Sequence, residues 1–152
     1  MGRIGANTVE PKRRYVCPFC QVELNRERPE LIRMDATLEG PGFEVTFQID
    51  IPAELGSYGA RYDSRIVLQE GCRVKFGCPQ CGRDFTSEYS SDWAELKMVE
   101  AGREFVVVFN KIYGEHSSFL FDYSTRRLVG TYGDATSDLI EQFGKNLNFF
   151  GS

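Results

Sequence analysis

Alternation of apolar and polar residues is clearest at positions 43–51 of the chain. One face of this stretch carries five apolar side chains: Phe43, Val45, Phe47, Ile49 and Ile51. Such a pattern is typical of a strand with one buried face in an antiparallel sheet. A second strand is predicted at residues 64–68, so the two together predict an antiparallel hairpin. A third strand is predicted at residues 72–76.

The second half of the chain reads as an antiparallel meander. Residues 104–113 are apolar on both faces through Phe109, as expected of a central strand, and residues 119–123 and 127–132 predict a hairpin. Residues 92–101 fit two structures. A capping-box pattern at Asp92 followed by a glycine at 102 favours a helix, whereas the sheet that follows favours a hairpin, which is the preferred interpretation.

A helix is predicted to end the chain. Thr136 or Ser137 can cap it, and the apolar residues after the cap fall on one stripe: Leu139, Ile140, Phe143 and Leu147. The predicted fold class is therefore mainly β, of the α+β type, with a C-terminal helix after the meander.

Two cysteine pairs precede and follow the predicted hairpin. They read Cys17-Pro18-Phe19-Cys20 and Cys78-Pro79-Gln80-Cys81-Gly82. The spacing lets both sulfurs of a pair reach one ion about 2.3 Å away. We therefore predict one tetrahedral site made by Cys17, Cys20, Cys78 and Cys81, with structural Zn²⁺ as its metal. Iron, or thiol redox chemistry at the same cysteines, is the less favoured alternative.

These pairs resemble the two knuckles of the zinc-ribbon superfamily, whose second knuckle often reads Cys-Pro-x-Cys-Gly. Two features depart from the usual ribbon: Gln21 stands where glycine is common, and 57 residues separate Cys20 from Cys78. Closing such a loop costs about 3 to 4 kcal/mol, whereas a structural zinc contributes about 10 to 16 kcal/mol. The resemblance implies a zinc ribbon with an inserted antiparallel hairpin.

The predicted organisation has three parts. Residues 1–14 form a flexible basic tail, residues 15–90 the zinc-ribbon region with its β insertion, and residues 91–152 the meander with the C-terminal helix. The last two parts are expected to pack as one unit.

The distribution of charge along the chain bears on whether its partner is a nucleic acid. The formal net charge is −4, yet residues 1–33 carry seven Lys/Arg against four acids. A nucleic-acid-binding ribbon would use the arginines of this segment, which are Arg13, Arg14, Arg26, Arg28 and Arg33. The acidic balance of the whole chain opposes that alternative.

No catalytic constellation is apparent in the sequence. His116 is the only histidine and is expected in a turn, Asp122 is explained by a turn, and Cys72 is expected to behave as a small apolar residue rather than as a fifth ligand. Four thiolates also leave zinc no open position for water.

The favoured function is therefore a non-catalytic accessory subunit or adaptor that mediates protein–protein interaction in a larger complex. The alternatives are a nucleic-acid-binding ribbon and an electron-transfer or thiol-redox protein. No apolar run approaches the length of a membrane span, and no targeting segment is apparent, so the cytoplasm is the expected location.

Overall fold

The computed structural model describes residues 13–57, 59–69, 71–87, 91–113 and 116–133. The regular elements within these ranges are all strands. In chain order they are β1 (Arg14–Val16), β2 (Leu31–Gly40), β3 (Phe43–Pro52), β4 (Arg61–Tyr62), β5 (Val74–Gly77), β6 (Trp93–Glu100), β7 (Arg103–Asn110), β8 (Ser117–Asp122) and β9 (Leu128–Gly133).

The strands form two antiparallel sheets. One has five strands in the order β9-β8-β7-β6-β1, and the other has four in the order β4-β3-β2-β5. β1 pairs with β6, so the strand before the first cysteine pair belongs to the same sheet as the C-terminal meander. β5, the strand before the second pair, belongs to the other sheet.

One apolar core joins the two sheets. The four-stranded sheet contributes Ile32, Met34 and Ala36 from β2, and the five-stranded sheet contributes Leu96 from β6 and Val107 from β7. All of these side chains are buried. Residues 105–108 of β7 are buried without a break, which is the burial expected of a strand covered on both faces.

The α+β prediction is wrong for the described part of the chain, which contains two antiparallel sheets and no helix. Residues 92–101 do not form a helix, because the whole of β6 pairs with β7 across a two-residue turn at Ala101 and Gly102, both of positive φ. The predicted C-terminal helix lies at residues 134–152, outside the described residues. No helix among the described residues is long and apolar enough to cross a membrane.

The predicted hairpin partner is also wrong. β3 pairs with β2 over all ten positions through the turn at Pro41 and Gly42, whereas residues 64–68 contain no strand. A short turn favours pairing between neighbours in sequence. Residues 32–37 also alternate buried and half-buried positions, with Met34 and Ala36 completely buried.

Candidate metal centre

The first cysteine pair lies on a tight loop directly after β1. The Cys17 N–H donates to the carbonyl of Val22 at 3.0 Å, and the Gln21 N–H donates to the carbonyl of Cys17 at 3.0 Å. The Cys17 sulfur accepts the N–H groups of Phe19 and Cys20, each at 3.4 Å. This loop, residues 17–22, is called knuckle 1.

The second pair lies on a matching loop directly after β5. The Cys78 N–H donates to the carbonyl of Arg83, and the Gly82 N–H donates to the carbonyl of Cys78, both at 2.9 Å. The Cys78 sulfur accepts the N–H groups of Gln80 at 3.3 Å and Cys81 at 3.4 Å. This loop, residues 78–83, is called knuckle 2.

The two knuckles bring all four cysteines of the pairs together. Their sulfurs lie within 4.8 Å of one another. Two of the distances are 3.8 Å, between Cys17 and Cys81, and 3.6 Å, between Cys20 and Cys78. Four sulfurs placed tetrahedrally about 2.3 Å from one ion would lie about 3.8 Å apart. The cluster therefore has the size and donor set of a four-thiolate metal site.

Each knuckle contributes one buried and one exposed cysteine. Cys17 and Cys78 are fully buried, whereas Cys20 and Cys81 are exposed. Burial raises the pKa of Cys17 to about 12 and also raises the pKa of Cys78. The backbone N–H of Arg83 is the main cause of the lowered pKa of Cys81. Metal binding would therefore have to displace the proton from each buried thiol.

Two contacts outside the four ligands hold the knuckles in place. The Arg83 guanidinium of knuckle 2 lies 4.7 Å from the ring centre of Phe19 in knuckle 1, a cation–π distance. The Lys97 ammonium on β6 donates to the Gln21 side chain at 3.4 Å and pairs with Glu104 at 2.8 Å. Sequence spacing could not identify Arg83 and Lys97, because the first contact depends on how the two sheets meet and the second on the pairing of β1 with β6.

Cys72 and His116 lie away from the cluster. Cys72 precedes β5 in a half-buried position, not on the predicted strand, and its carbonyl accepts the Tyr113 N–H at 2.7 Å. His116 lines a cleft of about 230 Å³ between the sheets, together with Tyr113 and Lys111. Burial lowers the pKa of Lys111, and its ammonium donates to the Thr86 hydroxyl at 2.6 Å.

Acidic side chains accompany four of the five arginines proposed as a nucleic-acid contact. The ion pairs join Arg13 to Glu100 at 2.9 Å, Arg14 to Glu23 at 3.9 Å, Arg28 to Glu30 at 3.4 Å and Arg33 to Asp50 at 2.9 Å. Each carboxylate offsets the positive charge that a phosphate would recognise. These pairs weaken the case for a nucleic-acid interface in this segment.

Comparison with protein-family models, with curated proteins and with solved structures finds no match to this chain. The two knuckles are therefore the feature from which a function can be argued.

Proposed function

We propose that this protein is a non-catalytic accessory subunit or adaptor, stabilised by one structural Zn²⁺, that binds a larger protein. The position of the cysteine cluster is the observation that carries the proposal. Knuckle 1 continues β1 of the five-stranded sheet, and knuckle 2 continues β5 of the four-stranded sheet. A metal bound by all four thiolates would tie the two sheets together at this end and would have no position left for a substrate or water.

A docking surface for the larger protein is suggested at the start of β9. Leu128 and Val129 are adjacent apolar residues with 44% and 52% of their surface exposed. The β8–β9 register shifts between Leu128 and Gly130, a bulge that places both apolar residues outside the regular alternation. Arg127, also exposed, precedes them. The expected partner surface is therefore apolar with neighbouring acidic residues.

Metal analysis and partner binding test the two halves of the proposal separately. The purified protein should contain one zinc per chain and should be colourless, whereas iron in four thiolates would colour it. A tagged chain should recover one protein in fixed stoichiometry from its own cells. That protein should then bind the purified chain directly.

A paired variant identifies the docking surface. Replacing both Leu128 and Val129 with Asp should weaken this direct binding at least about tenfold. Two negative charges would then enter an apolar contact and would face the acidic residues expected on the partner. Val67→Asp is the matched control, since Val67 is 70% exposed elsewhere on the surface. If wild type, the double variant and Val67→Asp bind the partner equally well, Leu128 and Val129 are not the docking surface. Absence of a stoichiometric partner, or salt-dependent binding of nucleic acid at physiological salt, would count against the adaptor function.

A further inference from the structure

The outer edge of β3 is covered over only part of its length. On its inner side, β3 pairs with β2 at all ten positions. On its outer side, β4 pairs with Ile49 and Asp50 alone. Within the described ranges of the chain, residues 43–48 have no strand partner along that outer edge. An uncovered strand edge offers backbone N–H and C=O groups to another strand.

The features that usually protect a strand edge are sparse along this segment. Residues 43–48 contain one charged residue, Glu44, and no proline, and the β2–β3 register runs without a shift. Two apolar side chains are exposed here as well, Phe43 at 52% and Val45 at 36%, although Ile49 on the same face is only 3% exposed. The end of the hairpin therefore projects beyond the core with an apolar face and an unprotected edge.

We propose that a second copy of this chain pairs with this edge, antiparallel, about a two-fold axis at Val45. Directly opposed residues of an antiparallel pair share a face. In this register Val45 lies opposite the partner's Val45, Phe43 lies opposite the partner's Phe47, and Glu44 lies opposite the partner's Thr46. Apolar side chains thus meet apolar ones, and no two like charges are opposed.

Neighbouring two-fold registers fit less well. A register centred on Glu44 would oppose two carboxylates, which is destabilising. A register centred on Thr46 would place Phe43 opposite the partner's Ile49, where β4 already occupies the edge. A register centred between Val45 and Thr46 would set Glu44 against the partner's Phe47, since it mixes the two faces. Of these four registers, only the one centred on Val45 keeps the charges apart, leaves β4 in place and preserves the faces.

The mass of the zinc-loaded protein in solution is the first test. Sedimentation equilibrium from micromolar to millimolar concentration should show the average mass rising from 17.3 kDa towards twice that value. Val45→Lys opposes two lysines at the axis and should raise the dimer dissociation constant at least about tenfold. Val67→Lys, at an exposed position outside β3, should leave the constant unchanged. Circular dichroism and zinc content should be the same in all three proteins.

Engineered cysteines test the register itself. Val45→Cys places two thiols directly opposite each other, where Cα atoms are about 4.5 to 5.5 Å apart and a disulfide can form. Phe43→Cys places its two copies four residues apart along the strand, about 13 Å, too far for a disulfide. Mild oxidation of the zinc-loaded proteins should therefore cross-link Val45→Cys well above the wild-type background and Phe43→Cys no more than wild type.

Three outcomes would overturn the proposal. If the mass stays at that of one chain up to millimolar concentration, the β3 edge does not pair with a second copy, and a strand of another protein would be its partner. A dimer unaffected by Val45→Lys would place the interface elsewhere on the surface. Cross-linking of Phe43→Cys as efficient as that of Val45→Cys would contradict the two-fold register.

Discussion

The loop between β8 and β9 has the backbone of the two cysteine knuckles, although it contains no cysteine. The Asp122 N–H donates to the carbonyl of Arg127 at 2.9 Å, and the Arg126 N–H donates to the carbonyl of Asp122 at 2.8 Å. Both knuckles contain the corresponding pair of bonds, at 2.9 to 3.0 Å. The fifth residue has a positive φ in all three loops, 67° at Gln21, 78° at Gly82 and 62° at Arg126.

The same comparison extends to the acceptor at the first position of each loop. A carboxylate oxygen of Asp122 accepts the N–H groups of Ser124 and Thr125, each at 3.0 Å. The sulfurs of Cys17 and Cys78 accept the N–H groups at the equivalent positions of their knuckles. All three loops thus have an acceptor at the first residue, and at Asp122 the turn forms without a metal ligand.

What the thiolate adds is a link to another loop. The Asp122 carboxylate serves its own turn and pairs with Arg103 at 2.7 Å, on the neighbouring strand of the same sheet. The cysteine sulfurs instead cluster with those of a loop from the other sheet. The three loops thus separate two tasks, local turn formation and the joining of the sheets.

The largest expected effect comes from removing one thiolate. Cys78→Ser keeps an oxygen acceptor for the turn but removes a metal ligand, so it should release the metal and lower the free energy of unfolding by several kcal/mol. Cys72→Ser is the matched control, because Cys72 lies outside the cluster. Zinc content and urea unfolding, measured together, check both changes. Equal metal loss from the two variants would show that the ligands are wrongly assigned.

Removing the Asp122 carboxylate should have a smaller effect, confined to one turn. Asp122→Ala loses the acceptor for two N–H groups and the pairing with Arg103, so the melting temperature should fall by several degrees with zinc content unchanged. The melting temperature of Asp122→Asn should fall less, because the amide retains an acceptor oxygen. A drop as large as that of Cys78→Ser, or any loss of zinc, would contradict the separation of the two tasks.

The contribution of Asp122 should also depend on pH. Hydrogen bonds from the Thr125 N–H and then from Arg103 and Ser124 hold the pKa of this carboxyl well below its usual range. A pKa that is lower in the folded than in the unfolded protein stabilises above the unfolded value, about 3.9, and that stability is lost as the pH falls below it. The difference in urea midpoint between wild type and Asp122→Ala should therefore be constant from pH 7 to 5 and should narrow in stronger acid. Parallel zinc assays separate this effect from metal loss common to both proteins. If the difference in urea midpoint between wild type and Asp122→Ala widened in acid, the Asp122 carboxylate would not be its source.

The cysteine cluster could be predicted from the sequence because its determinants are local. The spacing within each pair sets the two knuckles, and a metal site is the simplest arrangement that uses both pairs. The strands of the meander could be predicted for the same reason, since their apolar patterns are nearly unbroken. Asp122 could likewise be predicted as a turn residue.

Pairing between distant strands could not be predicted in the same way. β1 pairs with β6 and β2 pairs with β5, but a single sequence does not show which distant edges meet. β2 is absent from the predicted strands, although Ile32, Met34 and Ala36 alternate with polar residues. Burial also depends on the opposing sheet, so Phe43 and Val45, predicted on a buried face, are exposed.

The smallest expected effects concern the fifth residue of each loop, where the backbone is left-handed. An L-residue at positive φ costs about 1 kcal/mol relative to glycine. Gly82→Ala should therefore lower the free energy of unfolding by about 1 kcal/mol, because no atom lies within 4 Å of the added Cβ and the backbone alone sets the cost. Arg126→Gly should remove the same backbone cost, since Arg126 also has a positive φ.

Gln21→Gly should raise the free energy of unfolding by less than about 1 kcal/mol, because it relieves the backbone cost but also removes the Gln21 hydrogen bonds with the Pro18 carbonyl at 3.3 Å and with Lys97. Urea unfolding of the zinc-loaded proteins measures the series, and zinc content should be the same throughout. A strongly destabilised Gln21→Gly variant would show that the contacts of the Gln21 side chain outweigh the backbone strain. In that case the left-handed conformation shared by the three loops would follow from the loop shape, and glycine at this position would not raise the free energy of unfolding.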